Sequence, residues 1–120
     1  DDLGKLARAG TLLREAIDAE TIVVTRGSRG MSVFTRGADP VHLPVYGTAE
    51  VADVTGAGDT VISVFTLAML SGSAPDEAAR LANYAGGIVV MKRGTATVSR
   101  EELRRAVRTD AALDAPPRPA

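Results

Sequence analysis

Asp53-Val54-Thr55-Gly56-Ala57-Gly58-Asp59-Thr60 places a glycine-rich turn, a helix start and an acidic side chain in one short stretch. Two glycines around one alanine let successive backbone N–H groups point the same way, and the apolar run 61–70 that follows reads as a helix. The turn is then a helix N-terminus, where unpaired N–H groups and the positive end of the macrodipole attract anions. Asp59 falls in the first turn of that helix, beside any phosphate held there. A carboxylate next to an anion is repelled, so its placement needs a chemical reason. Taking a proton from an attacking hydroxyl supplies one, and phosphoryl transfer is the chemistry that would use it. Gly-Ala-Gly-Asp alone also suits an ordinary helix cap with glycines chosen for turn geometry, so the surrounding chain has to decide.

The elements around this turn alternate as in an α/β protein. Leu3, Leu6, Ala7, Leu12, Leu13, Ala16 and Ile17 recur at helical spacing despite Gly4 and Gly10, predicting an imperfect helix to residue 19. Residues 21–25 are β-branched and nearly uniformly apolar, which predicts a strand buried on both faces. Residues 27–30 form a turn and 31–35 a second strand. Pro40 before it and Pro44 within it make the short extended piece 41–45 fit only for a sheet edge. The helix 56–70 is closed by Ser71-Gly72-Ser73. Pro75, with Asp76 and Glu77 behind it, opens the next helix, to residue 91. Ser99-Arg100-Glu101-Glu102 is a capping sequence for a last helix ending near residue 107. The tail 114–120, with three prolines, is expected to be a disordered end or a linker.

Composition narrows the partners. The chain has 120 residues, 45% of them hydrophobic and 24% charged, enough for one core. A net charge of −1 with interspersed signs offers no basic field for nucleic acid, which leaves small molecules as the expected partners. The absence of cysteine rules out disulfides and thiolate zinc sites and fits a reducing cytoplasm. The longest apolar stretch is about half of what a bilayer span requires, so no membrane partner is expected. No signal peptide is visible, although the sequence opens at Asp1-Asp2 without a methionine, so the true N-terminus is expected to lie upstream.

Asp-Val-Thr-Gly-Ala-Gly-Asp-Thr followed by a helix of small apolar residues resembles the C-terminal signature of the PfkB (ribokinase-like) carbohydrate kinases. Val24-Thr25-Arg26-Gly27-Ser28-Arg29-Gly30-Met31 is similar to that family's strand–turn–strand element. Ala79-Arg80-Leu81-Ala82-Asn83 with Ala85-Gly86-Gly87 is similar to its nucleotide-side helix, and Lys92-Arg93-Gly94-Thr95-Ala96-Thr97-Val98 to its closing loop. The wording of the signature and closing loop most resembles the kinases of heptose 7-phosphate that form the first domain of bifunctional ADP-heptose synthases. The resemblance implies the C-terminal part of a ribokinase-like, Rossmann-like three-layer α/β fold. Residues 1–110 would be the ATP-binding and catalytic-base portion, and 111–120 a tail or linker.

The same resemblance assigns roles. Asp59 would deprotonate the acceptor hydroxyl, and the N–H groups of Gly56, Ala57 and Gly58 would hold the transferred phosphoryl group. Thr25, Gly27 and Gly30 would flank ATP, carried with Mg²⁺, and Asn83 would lie on the helix lining the adenine. Asp53, Thr55 and the Gly94 carbonyl would border a monovalent-cation site for K⁺, although Asp53 serves equally well as a turn cap through its own backbone hydrogen bonds. Gly86-Gly87 reads as close helix packing, Lys92 and Arg93 as cations at a helix C-terminus, and His42 as a surface residue. A complete PfkB kinase carries a longer N-terminal part with most of the sheet, a lid and the sugar contacts, none of which is in this sequence. The readings left open are a heptose 7-phosphate kinase piece, the same chemistry on ribose, fructose phosphate or a nucleoside, and a non-catalytic nucleotide-binding module. Apolar faces in excess of what so small a domain can cover imply self-association into a homo-oligomer.

Overall fold

A computed structural model describes residues 2–47, 56–92, 94 and 96–114. The elements follow in the order α1 (Asp2–Ala16), β1 (Thr21–Thr25), a 3₁₀ turn (Gly27–Arg29), β2 (Met31–Thr35), β3 (Val41–Leu43), α2 (Ala57–Leu70), α3 (Pro75–Val90) and α4 (Arg100–Asp114). The strands form one antiparallel sheet in the order β1-β2-β3, with Val23 opposite Val33 and Val33 opposite Val41.

Strand alternation decides what each sheet face meets. Met31 and Val33 join Leu43 and Ala79 in a buried cluster, with Val23, Val41, Val61 and Phe65 packed around it, so this face meets α3 and α2. Phe34 points to the other face, where α1 lies. A Cβ added at Gly10 of α1 would run into the Phe34 ring. Gly10 is therefore the point of closest helix–sheet approach rather than an imperfection of the helix. α1 stops at Ala16, short of the predicted residue 19, because Asp18 takes a left-handed φ of 51° that a helix cannot contain. Buried Arg14 fixes the exit by donating from Nη1 to the Ala19 carbonyl at 3.1 Å.

β1 differs from its expectation. Its residues are only half-buried, with Thr25 exposed, and β2 is the strand buried along nearly its whole length. Among the described residues β1 has a hydrogen-bonded neighbour on one side only, so an apolar strand sits at an edge. His42 is half-buried rather than on the surface, its Nδ1 paired at 2.7 Å with the fully buried Ser32 hydroxyl.

α3 is the central helix. Ala78, Ala79, Ala82, Ala85 and Gly86 keep its buried side flat, and a Cβ at Gly86 would stand 2.8 Å from the Val61 methyl of α2. Small residues thus let α2 and α3 approach closely, as their sequence suggested. α4 begins with the expected capping box: Glu102 N–H donates to Ser99 Oγ at 3.1 Å and Ser99 N–H to Glu102 Oε1 at 3.0 Å. It runs past residue 107 to Asp114, fastened by a hydrogen bond from Tyr84 of α3 to Asp110. The tail predicted at 114–120 lies, except for Asp114, outside the described residues.

Candidate functional site

A groove of about 370 Å³ opens where the β1–β2 turn, the start of α2 and the middle of α3 converge. Thr25, Gly27 and Gly30 line it from the sheet, Ala57 and Gly58 from α2, and Asn83, Gly86 and Gly87 from α3. Residues far apart in sequence and singled out for nucleotide binding thus share one wall system.

The glycines in it meet different demands. Gly30 has φ 82°, and a Cβ there would collide with the Leu43 carbonyl, so the approach of β3 requires it. Gly27 has φ 58° but open space around it, as a backbone that a ligand is to approach would have. Gly56 takes φ 78° and ψ 0° as the residue before α2, whereas Gly58 is helical with nothing within 4 Å of an added Cβ. The turn before α2 is thus set by one left-handed glycine and left open by the next. Among the described residues no side chain caps the N-terminus of α2, whose first residues, Ala57 and Gly58, line one end of the groove.

Asp59 is exposed in the first turn of α2, directly after the groove-lining Gly58, and its main-chain carbonyl accepts from Ser63 Oγ at 2.7 Å. Gly56 and Asp59 border the groove without lining it. Asp53 and Thr55 lie outside the described residues, and Gly94, with φ 69°, is not part of the groove. Among the described residues no three His, Asp or Glu side chains gather as a metal site. A magnesium ion held chiefly by nucleotide phosphates, as is usual, would need no such cage. The groove's size and its open glycines fit a nucleotide polyphosphate.

Asn83 lines the groove, but its Nδ2 donates to the Pro44 carbonyl at 2.7 Å. Half of the amide therefore fixes the segment after β3. The role of that segment escaped the sequence reading, which took 41–45 as an extended edge piece: Val45 lines the groove, and Tyr46 packs its ring edge-on against Tyr84 at 4.8 Å and 87°. Burial, helped by the hydrogen bond to Asp110, pushes the Tyr84 phenol up to about 12. The signal was present, because these are the only two tyrosines of the chain. Lys92 faces away from the groove, pairing with Glu102 at 2.8 Å and donating to the Thr97 carbonyl at 2.7 Å. The Lys92 ammonium holds the Glu102 carboxyl down at about 2, helped by the Ser99 N–H.

The sequence pattern of the pfkB family carbohydrate kinases matches residues 2–102. The chain belongs to that family. Among its curated relatives, the bifunctional protein HldE of Nitrosococcus oceani is 48% identical over 106 residues, covering 88% of this chain and 22% of the relative. Bifunctional protein HldE of Vibrio cholerae serotype O1 is 50% identical over 103 residues, covering 86% and 21%. The chain thus spans about a fifth of the length of these relatives. Arabidopsis thaliana ribokinase, solved with ribose and ATP, superposes with a TM-score of 0.69 at 29% identity, covering 75% of this chain and 30% of that one. Escherichia coli phosphofructokinase-2, solved with substrates and products, gives a TM-score of 0.76 at 18% identity over 87% and 33%, a likeness of fold. The small sheet and its helices are accordingly an incomplete piece of the ribokinase-like α/β fold of this kinase family. Among the described residues no helix is long and apolar enough to cross a membrane.

Proposed function

We propose that the chain is the ATP-binding and catalytic-base part of a cytoplasmic kinase that phosphorylates the anomeric hydroxyl of heptose 7-phosphate to the 1,7-bisphosphate. The observation that carries the nucleotide half of this reading is the convergence of Thr25, Gly27, Gly30, Ala57, Gly58 and Asn83 on one groove. Relatedness of 48–50% to bifunctional HldE proteins supports the heptose acceptor. In this reading residues 1–110 belong to the kinase domain and 111–120, of which 111–114 finish α4, to a tail or linker.

The roles follow from physical chemistry. ATP with Mg²⁺ supplies the phosphoryl group. The N–H groups of Gly56, Ala57 and Gly58 face the charge that develops on its oxygens and need no reorganisation to do so. Asp59 accepts the proton of the acceptor hydroxyl as its oxygen attacks phosphorus. Asp53, Thr55 and the Gly94 carbonyl would border a K⁺ ion that adds positive charge behind the anion turn. Calorimetric titration of ATP and Mg²⁺ into the chain should give saturable binding that Gly58→Val abolishes. Absence of binding to the unaltered chain would overturn the nucleotide assignment. For the acceptor, the chain extended to the length of its relatives should prefer heptose 7-phosphate over ribose and fructose 6-phosphate, and the opposite preference would replace the heptose assignment.

That Asp59 borders the groove without lining it favours a second reading, a non-catalytic nucleotide-binding module or remnant. The two differ in one result: turnover by the chain extended to the length of its relatives, which the first reading requires and the second does not.

A further inference from the structure

β3 ends at Leu43, and the next four residues belong to neither sheet nor helix, yet they form one side of the groove through Val45. Side chains must therefore hold this wall. Asn83 ties the Pro44 carbonyl at 2.7 Å. Gly87 lets the Tyr46 main chain lie directly against α3, since an added Cβ would strike the Tyr46 carbonyl and stand 2.9 Å from its ring. The outer side of Tyr46 is closed by the edge-on ring of Tyr84, whose hydroxyl donates to Asp110 of α4. Tyr84 as a whole is 7% exposed, and among the described residues Asp110 is the side chain that accepts from its hydroxyl. α4 itself contributes no residue to the groove.

We propose that Tyr84 and Asp110 are positioning residues for the groove: the Asp110–Tyr84 hydrogen bond sets the Tyr84 ring, the ring sets Tyr46, and Tyr46 sets the Val45 wall against which a bound nucleotide packs. α4 thereby acts on the groove from outside it. The inference rests on the groove being the nucleotide site, as proposed above. Physically it requires that Val45 and Tyr46 be held by the side chains against them rather than by a strand ladder, which their position outside the sheet satisfies. It also requires that the ring pair have a defined geometry, which edge-to-face packing favours over other orientations.

The test compares Tyr84→Phe, Asp110→Ala, Asp110→Asn and Leu103→Ala in the full chain. Leu103 packs in the same α3–α4 cluster but takes no part in the hydrogen bond. Magnetic resonance reads the Tyr46–Tyr84 ring contact through cross-relaxation, and the ring protons of the introduced phenylalanine serve the same purpose in the Tyr84→Phe variant. Calorimetry reads ATP affinity. Tyr84→Phe and Asp110→Ala should weaken the ring contact and lower ATP affinity about 3- to 10-fold, the scale of one lost hydrogen bond. Asp110→Asn keeps an acceptor and should stay within about twofold of the unaltered chain. Leu103→Ala should lower the melting temperature while leaving affinity nearly unchanged. An intact ring contact in Tyr84→Phe and Asp110→Ala, or loss of affinity by Leu103→Ala equal to that by Asp110→Ala, would overturn the proposal. If the unaltered chain binds no ATP, the nucleotide reading fails, while the ring contact still decides whether α4 positions the wall.

Discussion

Gly56 and Gly58 stand two positions apart and answer to different constraints. Gly56 is left-handed, where a side chain costs about 1–2 kcal/mol, so Gly56→Ala should lower stability by that amount in urea unfolding. Gly58 is helical with open space beside it, so Gly58→Val should fold and melt nearly as the unaltered chain does. The added methyl groups would instead occupy the space a phosphate needs, and ATP titration should register the loss. Normal ATP binding by a folded Gly58→Val chain would remove this turn from the site. Sequence alone gives both glycines to turn geometry; the left-handed dihedral belongs to Gly56 only. Asp59 carries a separate prediction. In the enzyme extended to its relatives' length, Asp59→Asn keeps the side-chain shape and loses the base, so turnover should fall by about 10²- to 10⁴-fold with ATP affinity unchanged. Steady-state kinetics showing more than half of the original turnover would disprove the role.

At the scale of elements, the capping of α4 links charge to helix stability. The Glu102 carboxyl is held at about 2, below its ordinary value of 4.5, by Lys92 and the Ser99 N–H. A depressed carboxylate contributes stability that is complete above the unfolded value and disappears as pH falls through the folded one. The difference in melting temperature between the unaltered chain and Glu102→Gln should therefore be full above about pH 5 and shrink between about 4.5 and 2. A difference that does not change over that window would show that the carboxylate is not what stabilises the cap. This capping box was legible because a Ser followed at the third position by Glu satisfies two orphan N–H groups whatever the tertiary context. Pro75 with its acidic first turn, and the small residues of α3, were legible for similarly local reasons. The burial of β1 was not, because apolar residues state what a strand seeks to cover and not what is present to cover it. The length of α4 and the Tyr46 wall were missed for the converse reason. Tyr84 and Asp110 lie 26 residues apart, and no periodicity announces a hydrogen bond between two helices.

For the whole molecule, the exposed apolar surface is the dominant fact. Ile62, Leu67 and Leu70 of α2 are 59–81% exposed, and Leu12, Leu13 and Ile17 at the end of α1 are 50–63% exposed. β1 adds an apolar strand with one unpartnered edge among the described residues, a ready template for another strand. The radius of gyration is 15.1 Å, against about 13–14 Å for a compact domain of this length. Such a surface asks to be covered, and this chain matches only about a third of the length of the solved kinases it superposes on. The consequence for chemistry is that Asp59 is open to water, and among the described residues the groove is lined by no charged side chain that could hold an acceptor hydroxyl in line with a γ-phosphate. Orientation alone is worth roughly 7–11 kcal/mol of barrier, so its loss leaves little rate. The chain as given should bind ATP weakly and self-associate, and it should not turn over heptose 7-phosphate, ribose or fructose 6-phosphate with ATP, Mg²⁺ and K⁺. Light scattering alongside a coupled kinase assay tests both halves at once. Rapid turnover by a monodisperse monomer would show that the acceptor site lies within these 120 residues after all. Aggregation that a polypeptide carrying the remaining kinase fold relieves, with turnover appearing at the same time, is the outcome that the exposed faces of α1, α2 and β1 lead us to expect.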